Sequence, residues 1–403
     1  MAKSPTYTVI VEKSGENVTE IISTLDYEDC LNEDDLVTIN VNGAKIEVID
    51  KEYFNIGSRL IFTFGFIEGL MSPKRHLEIT DVDFNYIGNR VDMTVKGRDL
   101  GYSTKKLTSN SIFKNKTASQ IASQIADNFG LGKEIDTTTK VYEFLPMGNK
   151  NYMQFLKELA SKEGVKNDDT KGSIEVYVRG KILYFKYRDF NKSSRRTFTY
   201  NNAESLIVDL NISYEDENDN ASESVQSNGI DINSGKTITS KAKATENKET
   251  SVGDNLIFYD VDSNVSSTFS DYKQVTAGKN TYTPANDKSE LDTKVGSTHK
   301  KNTSKRLKLD LTIELDPTVE AGDIITIAGI AQKHNGNWRI EKVTHSITGS
   351  PASTKIEAYK NATKKSITTG NNKTTASKNT TQGKSTGTTT KKIYSYDENS
   401  KPK

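Results

Sequence analysis

Four histidines, one cysteine and two acidic clusters are the residues here whose chemistry could exceed packing. His76, His299, His334 and His345 are scattered, and none stands in an HxxxH or HExxH arrangement. That spacing is what puts two imidazoles on one helix face to hold zinc. His334 and His345 flank one β segment eleven residues apart, which places them at opposite ends of a hairpin rather than on one metal. His345 therefore reads as a histidine satisfied within the fold. Cys30 is the single cysteine, which excludes an internal disulfide and a multi-cysteine zinc site. With no histidine beside it in the chain, it reads as a small, half-buried residue. Asp26, Glu28, Asp29, Glu33, Asp34 and Asp35 crowd together. Paired carboxylates serve glycosidases, and acidic loops bind calcium. This run lacks the EF-hand spacing and its glycine, so it reads as a solvated acidic loop, and Glu215-Asp216-Glu217 reads the same way.

The chain holds no GxSxG, no GxxxxGK[ST] and no GxGxxG. A nucleophile elbow and a nucleotide fingerprint are both missing. The expectation is no catalytic residue, no cofactor and no metal. Trp338, the only tryptophan, reads as a core anchor, with a carbohydrate-stacking platform as the sharper alternative. Lys+Arg is 55 against Asp+Glu 54, so a specific nucleic-acid binder is not the default. No stretch approaches the roughly 18 apolar residues of a membrane span. No apolar run follows Met1-Ala2-Lys3-Ser4-Pro5, so the chain is expected to fold in a cytoplasm.

The elements that must position these residues are mostly strands. Residues 1–100 read as a β domain. Tyr7–Glu12 and Leu36–Val41 alternate in the strand period, and the Asn42-Gly43 turn signal after the second predicts a hairpin into Lys45–Ile49. Arg59–Ile67 reads as a central strand, with His76–Val82 and Asn89–Gly97 as a further pair. Residues 101–205 read as a small α+β module. Thr117 and Gln120 form a capping-box pattern ahead of Ala118, Ile121, Ala122, Ile125, Ala126 and Phe129, and Gly130 stops that helix. A second helix runs from about Asn151 to Glu163, followed by a hairpin of Ser173–Val178 and Ile182–Tyr187.

Residues 206–225 hold one more strand, and 306–360 are β again, the two together forming a split second β domain. Residues 226–305 read as a polar insertion with little core, its one apolar patch at Leu256–Tyr259. Residues 361–403 hold eleven Thr, nine Lys and two acidic residues, a basic tail too polar to offset its ordering entropy. The two β domains could be duplicates of each other.

Two stretches carry a family resemblance. One is Asn151-Tyr152-Met153-Gln154-Phe155-Leu156-Lys157-Glu158-Leu159-Ala160-Ser161-Lys162-Glu163-Gly164, leading to Ile182-Leu183-Tyr184-Phe185. The other is Val319-Glu320-Ala321-Gly322-Asp323-Ile324-Ile325-Thr326-Ile327-Ala328-Gly329, then Gly336-Asn337-Trp338 through Val343, His345 and Ile347, closed by Thr354–Tyr359. In this order they resemble the late control gene D family, the baseplate hub proteins of contractile phage tails. Phe155, Leu156, Leu159, Ala160, Gly164, Gly322, Asp323, Gly329, Gly336, Trp338, Val343 and His345 match that family's structural motif residues.

The resemblance implies an α+β, mainly β fold: two tube-type antiparallel β-barrel domains with the small α+β module between them. It implies a non-enzymatic homotrimer whose two β domains per chain make a pseudo-sixfold ring. The implied partners are a tail-tube protein and a spike protein, with baseplate wedge or tape-measure proteins beside them, in a particle assembled in the bacterial cytoplasm. A phage tail, a tailocin and an injection system all satisfy it. Two other readings compete: a β-rich carbohydrate-binding or adhesion module, and a tail-associated cell-wall hydrolase.

Overall fold

The computed structural model describes residues 4–163, 171–189, 192–202, 206–214, 224–230, 236–243, 279–282, 291–292, 307–331, 334–349 and 351–360. Gly164, the acidic triplet at 215–217, the 256–259 patch, His299 and the basic tail lie outside them. The fold is α+β and mainly β, built on antiparallel sheets.

Six strands open the chain: β1 (Pro5–Val11), β2 (Thr24–Cys30), β3 (Leu36–Ala44), β4 (Arg59–Phe66), β5 (Arg75–Ile87) and β6 (Arg90–Asp99). They lie in the order β1-β4-β5-β6-β3-β2, antiparallel throughout. Alternation buries Val37, Ile39 and Val41 of β3 against Leu60, Phe62 and Phe64 of β4. Burying each such side chain is worth about 1.5–3 kcal/mol.

The hairpin expected at Asn42-Gly43 does not form. β3 lies between β6 and β2, so neither edge is free for a strand at 45–49. Gly43 instead serves a bulge, where the β3–β6 register shifts between Val41 and Ala44 and its N–H donates to Asp92 Oδ1 at 2.7 Å. Ile46–Ile49 then forms one helical turn, α1. The acidic run is not a solvated loop either. Asp26, Glu28 and Asp29 lie in β2, and Asp29 and Asp35 are fully buried, because buried arginine and backbone donors meet them.

The middle module holds α2 (Tyr102–Lys106), β7 (Thr108–Ser109), β8 (Ile112–Thr117), α3 (Ala118–Asn128), β9 (Gly132–Ile135), β10 (Val141–Pro146), β11 (Lys150–Asn151), α4 (Tyr152–Glu163), β12 (Lys171–Arg179) and β13 (Ile182–Asp189). α3 starts on the capping box read from sequence, Thr117 and Gln120 each accepting the other's backbone N–H. At the start of α4 the side chain of Asn151 accepts from Gln154 N at 2.8 Å. Ile121, Ile125, Phe155, Leu156 and Leu159 close against Val176, Val178, Leu183 and Phe185 of the β12–β13 hairpin.

Past the module run β14 (Arg196–Thr199) and β15 (Ile207–Tyr214). Within 224–282, in the stretch read as a polar insertion with little core of its own, the chain forms a three-stranded sheet of β16 (Ser224–Ile230), β17 (Thr237–Lys243) and β18 (Lys279–Tyr282). Its Thr/Ser-rich strands are too polar to stand out from a loop by apolar alternation. β19 (Leu307–Glu314), β20 (Ile324–Ala328), β21 (Gly336–Ser346) and β22 (Ser353–Lys360) complete the described chain.

The second β region repeats the first. Its strands lie in the order β14-β20-β21-β22-β19-β15. Counted from the first strand of each set, both orders are 1-4-5-6-3-2. One difference stands: β1 pairs antiparallel to β4, whereas β14 runs parallel to β20. The two sets join edge to edge, because β2 pairs antiparallel with β21 from Asp26↔Ser346 to Cys30↔Lys342. One continuous 12-stranded sheet results.

Candidate functional site

Where the two β regions and the module converge, a buried ion network forms. Arg179, the last residue of β12, points its guanidinium at Asp29 of β2, with Nη2 2.9 Å from Oδ1. The same nitrogen donates to Ala321 O at 2.6 Å, and Nη1 reaches Glu320 Oε2 at 3.2 Å. Asp29 Oδ2 also accepts from Ala321 N at 3.2 Å. Glu320 is shared with Arg75, the first residue of β5, at 2.5 Å. One arginine from the module thus ties β2 of the first region to the β19–β20 connection of the second.

A chain of oxygens continues beneath it. Tyr27 donates its hydroxyl to Asp35 Oδ2 at 2.7 Å, and Cys30 N donates to Asp35 Oδ1 at 3.2 Å. Asp35 N donates to Asp99 Oδ2 at 2.7 Å, while Asp99 Oδ1 accepts from Gly101 N at 2.6 Å. Burial, with the charge of Asp29 adding to it, pushes the Asp35 carboxyl up to about 7. Burial also raises Asp99, with Asp35 and Asp34 adding to the rise. A second cluster fastens module to second region: Glu175 of β12 accepts from Arg188 Nε at 2.8 Å and pairs with Arg339 of β21. Lys192 reaches Asp323 at 2.6 Å. Removing one partner of a buried pair costs about 3–5 kcal/mol, since the other charge stays buried alone.

These contacts tie the two β regions and the module together through buried polar groups. His345 is buried, its Nδ1 3.0 Å from Thr354 Oγ1 and its ring stacked on Tyr27 at 6.1 Å. Burial, with Arg75 nearby, lowers it to about 3, so it is a neutral imidazole at any physiological pH. Burial pushes the Cys30 thiol up to about 12, where it is no nucleophile.

The residues singled out by sequence fall into separate places. Phe155, Leu156, Leu159 and Ala160 are buried in the module core. Gly322 and Asp323 turn into β20, Gly329 follows that strand against the backbone of Tyr200, and Gly336 opens β21. Val343 and Trp338 are buried in the second region's core. Trp338 is 0% exposed, its Nε1 donating to His334 O at 3.2 Å and Lys360 Nζ lying 4.4 Å from its ring centre. A tryptophan so enclosed offers no stacking face, which removes the sharper alternative for it. His334 precedes β21 and His345 lies near its end, so the two do not meet.

Sequence reading missed Arg179, Glu320, Arg75 and Asp99. Arg179 sits before a Gly-Lys turn, where a solvated charge is ordinary. The one usable signal was Asp29, an acidic residue in phase with the buried Leu25 and Tyr27 of β2.

No protein-family model matches the chain, and no curated protein matches it. Solved structures do. A tail protein of Neisseria meningitidis MC58 superposes with a TM-score of 0.62 at 10% identity, covering 89% of this chain and 97% of that one. The 43 kDa tail protein of prophage MuSo2 from Shewanella oneidensis gives 0.61 at 10% identity, covering 88% and 98%. A chain of the Francisella PdpA–VgrG complex gives 0.52 at 10% identity, covering 89% of this chain and 53% of that one. At such identities the likeness shows a shared fold, that of phage tail proteins. Among the described residues no helix is long and apolar enough to cross a membrane.

Proposed function

We propose that this chain is the structural baseplate hub of a contractile phage tail or phage-tail-like particle. In that role three copies form a ring of six like β units, joining a hexameric tail tube to a trimeric central spike. The repeated strand order 1-4-5-6-3-2 is the observation that carries the reading. Two like units per chain and three chains give six similar contacts, which is how a threefold object meets a sixfold one. The fold shared with tail proteins of Neisseria and Shewanella supports it, and the likeness to a VgrG complex supports a spike-side partner. The arginine-centred junction suits a part that transmits force, since it locks both β units to the module. The hub turns over no substrate on this reading, in keeping with a buried, neutral His345 and a protonated Cys30.

The test is the solution mass of the full-length chain by light scattering after gel filtration at two concentrations. A mass of three chains, with rings in electron micrographs, is the expected result. A single-chain mass at both concentrations would overturn the trimeric hub.

A further inference from the structure

We propose that copies of this chain join head to tail through an antiparallel pairing of β15 of one copy with the outer half of β5, residues 81–87, of the next. The inference rests on the ring reading above and names the strands that close it.

The argument begins inside one chain. β21 uses a single edge twice. Its first half, Gly336–Arg339, pairs with β20, and its second half, Lys342–Ser346, pairs with β2. β22 covers the opposite edge, with a register shift between Ile340 and Lys342. β5 occupies the same place in the first set. Its first half, Arg75–Glu78, pairs with β4. β6 covers the opposite edge, with a register shift between Ile79 and Asp81. Among the described residues no strand lies on the remaining edge of β5 from Asp81 to Ile87. The second set has the matching piece. β2 is the second strand of its set and pairs on both edges, with β3 and β21. β15 is the second strand of the other set and, among the described residues, pairs with β19 alone. Each chain therefore has one filled joint and the two separated halves of a second joint of the same kind.

Register transfers residue by residue. The shifts at Ile340 and Ile79 align His345 with Phe84 and Ser346 with Asn85. The ladders to β3 and β19 align Tyr27 with Ile212 and Asp26 with Asn211. The filled pairs Tyr27↔His345, Asp26↔Ser346 and Glu28↔Thr344 then predict Ile212↔Phe84, Asn211↔Asn85 and Ser213↔Asp83 between copies. In these three pairs an aliphatic side chain meets an aromatic one and no like charges oppose. The exposure fits as well. Phe84 is 47%, Tyr86 67% and Ile87 56% exposed in the single chain, and Val208 of β15 is 64% exposed. An apolar strand edge left open templates uncontrolled pairing, so a soluble protein covers it. Donor and acceptor halves lie on different parts of the chain, so the contact is heterologous and makes a ring when its rotation closes.

Cysteine pairing in the full-length chain tests this. Cross-strand partners lie about 4.5–5.5 Å apart, within disulfide reach. The double variant Phe84→Cys/Ile212→Cys should, on mild oxidation, give bridged species ending at three chains. Either single variant and the out-of-phase Phe84→Cys/Ser213→Cys should give no such series. Tyr86→Pro is the second arm. The equivalent residue, Ile347, donates its N–H to Leu25 O at 3.1 Å across the filled joint. That proline should reduce the assembly to single chains that keep the wild-type circular dichroism spectrum, with a melting temperature lowered only by the loss of association. A three-chain mass without bridging at 84–212 would overturn this pairing and leave the hub reading intact. A bridged series ending at two chains would support the pairing and overturn the ring. Single chains with no bridge would overturn both.

Discussion

Gly57 and Gly322 are one position seen twice. Both have φ +85°. Gly57 donates its N–H to Ile79 O at 2.8 Å, and Ile79 donates back to Ser58 O at 2.9 Å. Gly322 donates to Ile340 O at 2.9 Å, and Ile340 donates back to Asp323 O at 2.9 Å. Each glycine turns the chain into the fourth strand of its set, so the two β regions match at the level of single hydrogen bonds.

The pair predicts unequal costs for one substitution. A left-handed φ costs a non-glycine residue about 1–2 kcal/mol. At Gly57 a Cβ meets nothing within 4 Å, whereas at Gly322 it meets Leu31 Cδ2 at 3.1 Å. Gly57→Ala should lower stability by about 1–2 kcal/mol, and Gly322→Ala by more, in urea unfolding of the full chain. Equal stability of all three proteins would show that the strained turn is not conserved in solution.

Arg179 should be the most costly single charge to remove. Arg179→Ala leaves Asp29 and Glu320 without their shared cation, at a cost of about 3–5 kcal/mol. Arg179→Ala/Asp29→Asn should recover part of that loss, because one of the stranded charges is gone. A double-mutant cycle with zero coupling would mean that the two groups do not meet.

Local signals were legible in the sequence and long-range ones were not. Thr117 and Gln120 stand three residues apart, so the start of α3 is written within one turn of chain. The repeat of the six-strand order arises from pairings such as β15 with β19, about 100 residues apart across the strands of 224–282, and leaves no fixed period to detect. Asn42-Gly43 failed as a hairpin signal because the edges of β3 were already taken, one by the preceding strand β2 and the other by β6, about 50 residues on. The acidic run was misread for a related reason: what makes Asp29 a buried residue is Arg179, 150 positions later. Trp338 was read correctly as a core anchor, since a large apolar ring in an alternating strand needs no distant partner to explain it.

Trp338 separates the hub reading from a carbohydrate-binding one. It is enclosed at 0% exposure in the core of the second β region. Trp338→Ala should cost about 3–5 kcal/mol in denaturant unfolding, the range for emptying a large aromatic site. A glycan array probed with the wild-type chain should show no signal that this variant abolishes while still folded. A tryptophan-dependent sugar signal would favour the adhesion reading instead.

The pH dependence of stability should carry the mark of Asp35. Its carboxyl stands at about 7 in the folded chain, against an ordinary value of 3.8, through burial and the charge of Asp29, with Arg179, Tyr27 and Arg75 opposing the shift. A carboxyl raised by folding favours the protonated folded state. Its contribution is full below about pH 4 and is lost as pH rises to about 7, a span worth roughly 4 kcal/mol for an isolated group. His345 acts with the opposite sign: lowered to about 3, it adds stability above about pH 6.5 that is lost as pH falls. The two effects overlap, so the wild-type curve alone cannot assign either. The difference between wild type and Asp35→Asn removes the His345 effect, which is common to both, and carries the titration of Asp35 together with its effect on Asp99. Unfolding free energies at pH 4, 5.5, 7 and 8 should show the wild type losing stability relative to Asp35→Asn as pH rises, with the change complete just above pH 7. A difference that stays flat over that range would place the Asp35 proton elsewhere and refute the buried carboxyl chain from Tyr27 to Asp99.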